Sequence, residues 1–120
     1  SILKEKKLLS NLKVLILGAT FKEDCPDYRN TKVIDIFKEF KKLNVEVDVL
    51  DPWIDKASFY DDYQIIIHNQ LKNKKYDAII LAVAHSEFKR IDIESLKLSD
   101  NSVVYDVKGF LKRKEITNRL

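Results

Sequence analysis

Lys13-Val14-Leu15-Ile16-Leu17-Gly18, continued by Ala19-Thr20-Phe21-Lys22-Glu23-Asp24-Cys25-Pro26-Asp27-Tyr28-Arg29-Asn30 and then by an amphipathic segment from Thr31, is the stretch on which the fold turns. Its first part is a short apolar run closed by glycine, the form of a strand buried on both faces. Beyond residue 30, Val33, Ile34, Ile36, Phe37, Phe40 and Leu43 recur at helical spacing. Asn30 or Thr31 is available as N-cap and Asn44 as a stop. The opening unit is therefore strand, long loop, helix.

Working outward, residues 45–51 alternate up to Pro52, residues 77–83 are continuous and apolar, and residues 102–107 run into Lys108-Gly109. These predict three further strands. Residues 64–67 read as a short extra strand, 69–75 as a polar helix turn and 93–98 as a short helix. Apolar residues at 2, 3, 8 and 9 predict that residues 1–11 hold the end of an entering interdomain helix, with one domain over 12–120. Strand and helix alternate, which predicts right-handed crossovers and a mostly parallel sheet covered on both faces. The fold class is a three-layer α/β domain of Rossmann-like type.

Composition narrows the classes. At 120 residues the chain forms one core, and 45% hydrophobic with 34% charged residues is the balance of a globular protein. No apolar run approaches the roughly 20 residues that span a bilayer, so no membrane segment is predicted. A net charge of +3, scattered among carboxylates, gives no stripe for nucleic acid. One cysteine forms no internal disulfide and no signal segment opens the chain, so a reducing cytoplasm is expected. The absence of methionine and the start at Ser1 suggest a piece of a larger protein.

In open parallel sheets ligands bind beyond the carboxyl ends of the strands. The segment between Gly18 and Thr31 has twelve residues where two to six would be usual. A dinucleotide-binding turn needs closely spaced glycines for backbone contact with a pyrophosphate, and here only Gly18 is present, so NAD is not expected on this chain. The loop offers instead an aromatic face at Phe21, a cation at Lys22, and Arg29 near a helix start where anions are favoured. Two readings stand side by side. In one, these groups contact a ligand; in the other, Phe21 is core, Lys22 is solvated, and Asp27 pairs with Arg29 to fix the loop.

Four ordered motifs carry a family resemblance. Leu17 to Val33, read residue by residue as Leu-Gly-Ala-Thr-Phe-Lys-Glu-Asp-Cys-Pro-Asp-Tyr-Arg-Asn-Thr-Lys-Val, resembles the opening of the C-terminal, UDP-binding domain of the UDP-glucose/GDP-mannose dehydrogenases. Asp51-Pro52, Ala82-Val83-Ala84-His85-Ser86-Glu87-Phe88 and Asp106-Val107-Lys108-Gly109 are similar to that domain's later landmarks. The Glu-Asp-Cys-Pro-Asp form is more similar to the branch acting on UDP-N-acetylhexosamines for capsule, O-antigen or Vi-type polysaccharide than to the UDP-glucose branch.

The resemblance implies an enzyme that takes a sugar C6 alcohol to a carboxylate in two NAD-dependent oxidations through a cysteine thioester. It also implies that NAD and the catalytic cysteine belong to N-terminal and middle domains this chain does not contain, and that the parent is a homodimer or higher oligomer. For this chain it implies a UDP-sugar contacted by Phe21 and Lys22. It places Lys108 at a phosphate or base contact; lysine there keeps the charge of the arginine common in UDP-glucose members but loses its bidentate geometry. No residue here is expected to be catalytic. The alternative is a stand-alone nucleotide-binding or interaction module without activity.

Other candidates receive plainer readings. Cys25 lacks an identifiable base and reads as an inert thiol. With only His68 as a second histidine, His85 reads as a core hydrogen-bonding or helix-entry residue, and no metal site is expected. Asp51 ends a strand where a ribose-binding acid would sit, but without a glycine loop it reads as a cap for the next segment. Trp53 reads as core. Lys72-Asn73-Lys74-Lys75 reads as a solvated helix end.

Overall fold

The first strand, β1 (Lys13–Leu17), shows why the opening apolar run is continuous. Val14 and Ile16 enter one hydrophobic cluster, Leu15 and Leu17 another, and all four are no more than 2% exposed. A strand with both faces covered has no polar position to spare. The computed structural model describes residues 11–107 and the backbone of 118 and 119; residues 1–11 as an entering helix, and Lys108 with Gly109, fall essentially or wholly outside that range.

Around β1 the chain builds α1 (Val33–Lys42), β2 (Glu46–Leu50), α2 (Lys56–Tyr63), β3 (Ile67–His68), β4 (Ala78–Leu81), a 3-10 helix (Ser86–Arg90), α3 (Ile93–Leu96), β5 (Val103–Asp106) and β6 (Asn118–Arg119). The strands lie in the order β3-β2-β1-β4-β5-β6, and every neighbouring pair is parallel. That order is the Rossmann arrangement, with the chain reversing direction across the sheet at β1 and β4. The three-layer expectation holds. Val33 and Ile34 of α1 and Phe59 of α2 cover one face, while Phe88, Ile93 and Leu96 cover the other.

Register places the future site. Leu17 pairs with both Leu50 and Leu81, and Leu81 pairs with Asp106, so four strands end level with one another. Gly18 follows the first end with φ 94°, and a Cβ there would lie 2.6 Å from Val83 Cβ and 2.9 Å from the Val83 backbone. Only glycine fits between the two strand ends.

The predicted helix after the loop is present, and Asn44 does stop it. Asn44 adopts φ 59°, its N–H donates to Lys41 O at 3.0 Å, and Val45 N–H donates to Phe40 O at 3.0 Å, the paired bonds of a Schellman ending. At the start, neither Asn30 nor Thr31 is the capping residue; Lys32 is, although Thr31 Oγ1 accepts from Val33 N–H at 3.3 Å.

The structure corrects two further expectations and adds one helix. The extra strand is Ile67–His68 instead of 64–67, because Gln64 takes a left-handed conformation (φ 57°) that ends α2. Helix α2 was not foreseen: Phe59 is its one buried residue, so it shows no apolar stripe, and its start is set by Asp55, whose carboxylate accepts from Ala57 and Ser58 N–H. Residues 69–75 form no helix. Asn69 is drawn inward to donate to Asp51 O and Ile54 O at 2.9 and 3.0 Å, and Lys74 reaches β2 to bridge Glu46 and Asp48. Burial alone would raise the Asp48 carboxyl, but its hydrogen bonds from Lys74 and Tyr76 outweigh that and hold it below the ordinary value.

Candidate functional site

The level strand ends carry a loop that is tied down along its length. Leu50 O accepts from Gly18 N–H at 2.8 Å, and the next residue of that chain, Asp51, is fully buried. Asp51 Oδ2 accepts from Ala19 N–H at 2.7 Å, and Oδ1 accepts from Trp53 N–H at 2.8 Å. The capping role expected of Asp51 is thus one of two. The other is to hold the first turn of the long loop.

His85, also fully buried, stands beside it with Nε2 2.9 Å from Asp51 Oδ2 and 3.1 Å from Thr20 Oγ1. Its Nδ1 accepts from Asp24 N–H at 2.9 Å. The expected hydrogen-bonding histidine is present. Asp24 in turn accepts from Ser86 N–H and Ser86 Oγ at 2.8 and 2.5 Å, bonds that keep its carboxyl below the ordinary range. Trp53 is corrected from core to partly exposed: its Nε1 donates to Glu87 Oε1 at 3.1 Å, and its ring lies 6.2 Å from that of His85.

Further along the loop, Asp27 O accepts from Phe21 N–H at 2.6 Å and closes the turn. The Arg29 guanidinium grips the Asp27 carboxylate through Nε at 3.0 Å and Nη2 at 2.8 Å. With the Arg29 backbone N–H added, these bonds pull the Asp27 carboxyl down to about 2. The distal end is anchored by Tyr28, whose ring packs 4.8 Å from Phe59 and whose hydroxyl donates to Asp62 at 2.5 Å. That bond pushes the Tyr28 phenol up to about 12.

What this frame presents is Phe21, 61% exposed, and Lys22, whose ammonium has no ion pair among the described residues. Phe21 is therefore not core. Both line a cavity of about 510 Å³ with Thr31 and Lys32 at the entry of α1 and Ile80 and Val83 at the end of β4. Its lining joins apolar side chains to two cations, Lys22 and Lys32, and one carboxylate, Glu23, a balance that still favours a ligand with a flat or apolar part and an anionic part. Asp27 and Arg29 do not line it; they hold each other. Val107 reaches its wall, while Lys108 lies outside the described residues. Sequence reasoning assigned no role to Thr20, Asp24, Lys32 or Ser86, although all four lie inside the motifs that carry the family resemblance.

Cys25 is a partly buried free thiol, and both ring nitrogens of His85, which bonds the neighbouring Asp24 N–H, are engaged. Among the described residues no cluster of histidine, cysteine and carboxylates is arranged to hold a metal ion, and no helix is long and apolar enough to cross a membrane.

The model of the UDP-glucose/GDP-mannose dehydrogenase family's UDP-binding domain matches residues 15–113. The chain belongs to that family. As a UDP-binding domain of this family, it is 45% identical over 109 residues to the UDP-N-acetyl-D-glucosamine 6-dehydrogenase of Salmonella typhi, covering 89% of this chain and 26% of that protein. It is 41% identical over 122 residues to the enzyme of the same name from Pseudomonas aeruginosa, covering 100% of this chain and 29% of that one. The crystal structure of an NDP-N-acetyl-D-galactosaminuronic acid dehydrogenase from Methanosarcina mazei shares the fold, with a TM-score of 0.76 at 22% identity over 95% of this chain and 25% of that one. The chain thus spans about a quarter of the length of these relatives.

NAD, which the resemblance implies for the parent enzyme, does not fit the described residues of this UDP-binding domain. The turn after β1 has a single glycine, and Asp51, at the position of a ribose-binding acid, is turned inward onto Ala19, Trp53 and His85.

Proposed function

We propose that this domain holds the nucleotide end of a UDP-sugar, a UDP-N-acetylhexosamine, within an NAD-dependent dehydrogenase that oxidises the sugar C6 alcohol to a carboxylate for surface polysaccharide. In this reading residues 12–120 are the UDP-binding unit and residues 1–11 the end of the helix entering it. Other domains of a cytoplasmic, homo-oligomeric parent supply NAD and the reacting cysteine. The observation that carries the proposal is the tethered loop that leaves Phe21 and Lys22 free at the mouth of the strand-end cavity.

In mechanism the domain contributes binding and orientation. Phe21 covers apolar surface of the nucleotide, and Lys22 supplies an ammonium for its oxygen atoms, with Lys108 a further cation after β5. Binding energy gathered at the unreactive end of a substrate fixes the sugar for reaction elsewhere. NAD would supply the hydride acceptor for C6, and it would be held by another domain, not by Phe21, Lys22 or the other described residues of this one.

The test is Lys22→Ala in the complete dehydrogenase. A charge-assisted hydrogen bond is worth about 1.5–3 kcal/mol, so the UDP-sugar KM should rise roughly 10- to 100-fold while the NAD KM stays within about twofold. An unchanged UDP-sugar KM overturns the assignment. Binding by the domain alone would be seen as amide shifts at residues 18–31 on titration with UDP and none with NAD.

A further inference from the structure

We propose that His85 is the positioning residue for the ligand-facing loop, setting the geometry of Phe21 and Lys22 from beneath without touching the ligand. The inference rests on the reading of Phe21 and Lys22 as substrate contacts and adds to it the group that holds them in place.

Hydrogen-bond chemistry assigns the ring's state. Nδ1 accepts from the Asp24 N–H and so carries no proton in this arrangement, which leaves Nε2 as the N–H. That proton faces two acceptors, Asp51 Oδ2 at 2.9 Å and Thr20 Oγ1 at 3.1 Å. Thr20 Oγ1 spends its own proton on Lys22 O at 2.8 Å, which leaves its lone pairs to His85. One imidazole thus touches the residue before Phe21 and the residue after Glu23. Through Thr20 it also holds the Lys22 carbonyl, and through Asp51 the Ala19 amide.

The loop needs such a fastening. Phe21, 61% exposed, leaves most of its apolar surface in water, and holding its backbone opposes collapse of the ring into the cavity. Asp24 sits at φ 54°, an uncommon conformation for a residue with a side chain, and is kept there by its N–H to His85 and its carboxylate to Ser86, the next residue in the chain. A buried histidine and carboxylate are also a poor source of stability, since well-packed apolar residues of equal volume serve a core as well or better. Their value here is directional. They fix one loop geometry among many that the chain could adopt.

The experiment uses the complete dehydrogenase with His85→Asn, His85→Phe, Lys22→Ala and the double variant Lys22→Ala/His85→Asn. Asn retains an acceptor near the Nδ1 position, whereas Phe keeps only the ring. The UDP-sugar KM should rise roughly 10-fold in His85→Asn and more in His85→Phe, with kcat and the NAD KM within about threefold of wild type. In the Lys22→Ala background the His85→Asn effect should shrink to about threefold or less, because a positioning residue has less to act on once its client is gone. Full additivity overturns the proposal, as does an unchanged KM in a folded His85→Phe. If Lys22→Ala itself leaves the KM unchanged, the substrate-contact reading fails instead. Should His85→Phe not fold, amide exchange in the wild-type protein decides: the Asp24 N–H must be protected despite its exposed loop, and exchange at the rate of an open loop overturns the fastening.

Discussion

Asp27 and Arg29 differ from Phe21 and Lys22 by a few positions yet have opposite fates. Three side-chain hydrogen bonds, at 2.8, 3.0 and 3.2 Å, join the guanidinium to Asp27, so Arg29 serves the loop, while Lys22, five residues from Asp27, lines the cavity. The pairing has a pH signature. Because the folded Asp27 carboxyl lies at about 2, below the ordinary 3.8, the pair's contribution is complete above about 3.8 and is lost as the pH falls through about 2. Following the Asp27 carboxyl carbon by NMR should give a midpoint near 2, and Arg29→Ala should return it toward 3.8. A midpoint near 3.8 in the wild type would mean that the two side chains are not joined in solution.

The elements divide by how they are specified. Helix α1 is legible because its apolar residues recur along one face and Asn44 supplies its left-handed ending. Helix α2 depends on one cap and one buried ring, Phe59, so its sequence shows no period to read. Asp55→Ala should therefore cost about 1 kcal/mol in urea unfolding, the usual value of a lost N-cap. A change below about 0.3 kcal/mol would assign the start of α2 to packing of Phe59 instead. Residues 69–75 look polar enough for an exposed helix, but Lys74 and Asn69 find fixed acceptors on β2 and the segment after it. Those long-range bonds override a weak local preference.

For the whole molecule, a central parallel sheet separates two hydrophobic clusters that meet only through its strands. Phe59 lies in one and Phe88 in the other. Replacing either by Leu should lower stability by about 1–2 kcal/mol, and the double variant should show the sum, since the sites share no contacts. Far-ultraviolet circular dichroism and the fluorescence of the sole tryptophan, Trp53, should report one coincident transition. Separate transitions would mean that the two faces unfold independently.

The same sheet brings Asp51, His85 and Thr20 together from three loops. His85 lies 65 residues after Thr20 in sequence.

By itself the sequence determined the α/β class, the parallel order implied by alternating strands and helix, the unusual loop after β1, and, through its ordered motifs, the family. These are matters of hydrophobic period and local turn chemistry, which neighbouring residues encode. Only the tertiary structure decided that Phe21 is exposed, that Arg29 is spent on Asp27, that Trp53 is at the surface and that Asp51 and His85 fasten the loop from below. Each of those depends on which strand ends lie level and which loops they bring within hydrogen-bond distance. No local pattern carries that register; it is set by side chains filling both faces of one sheet.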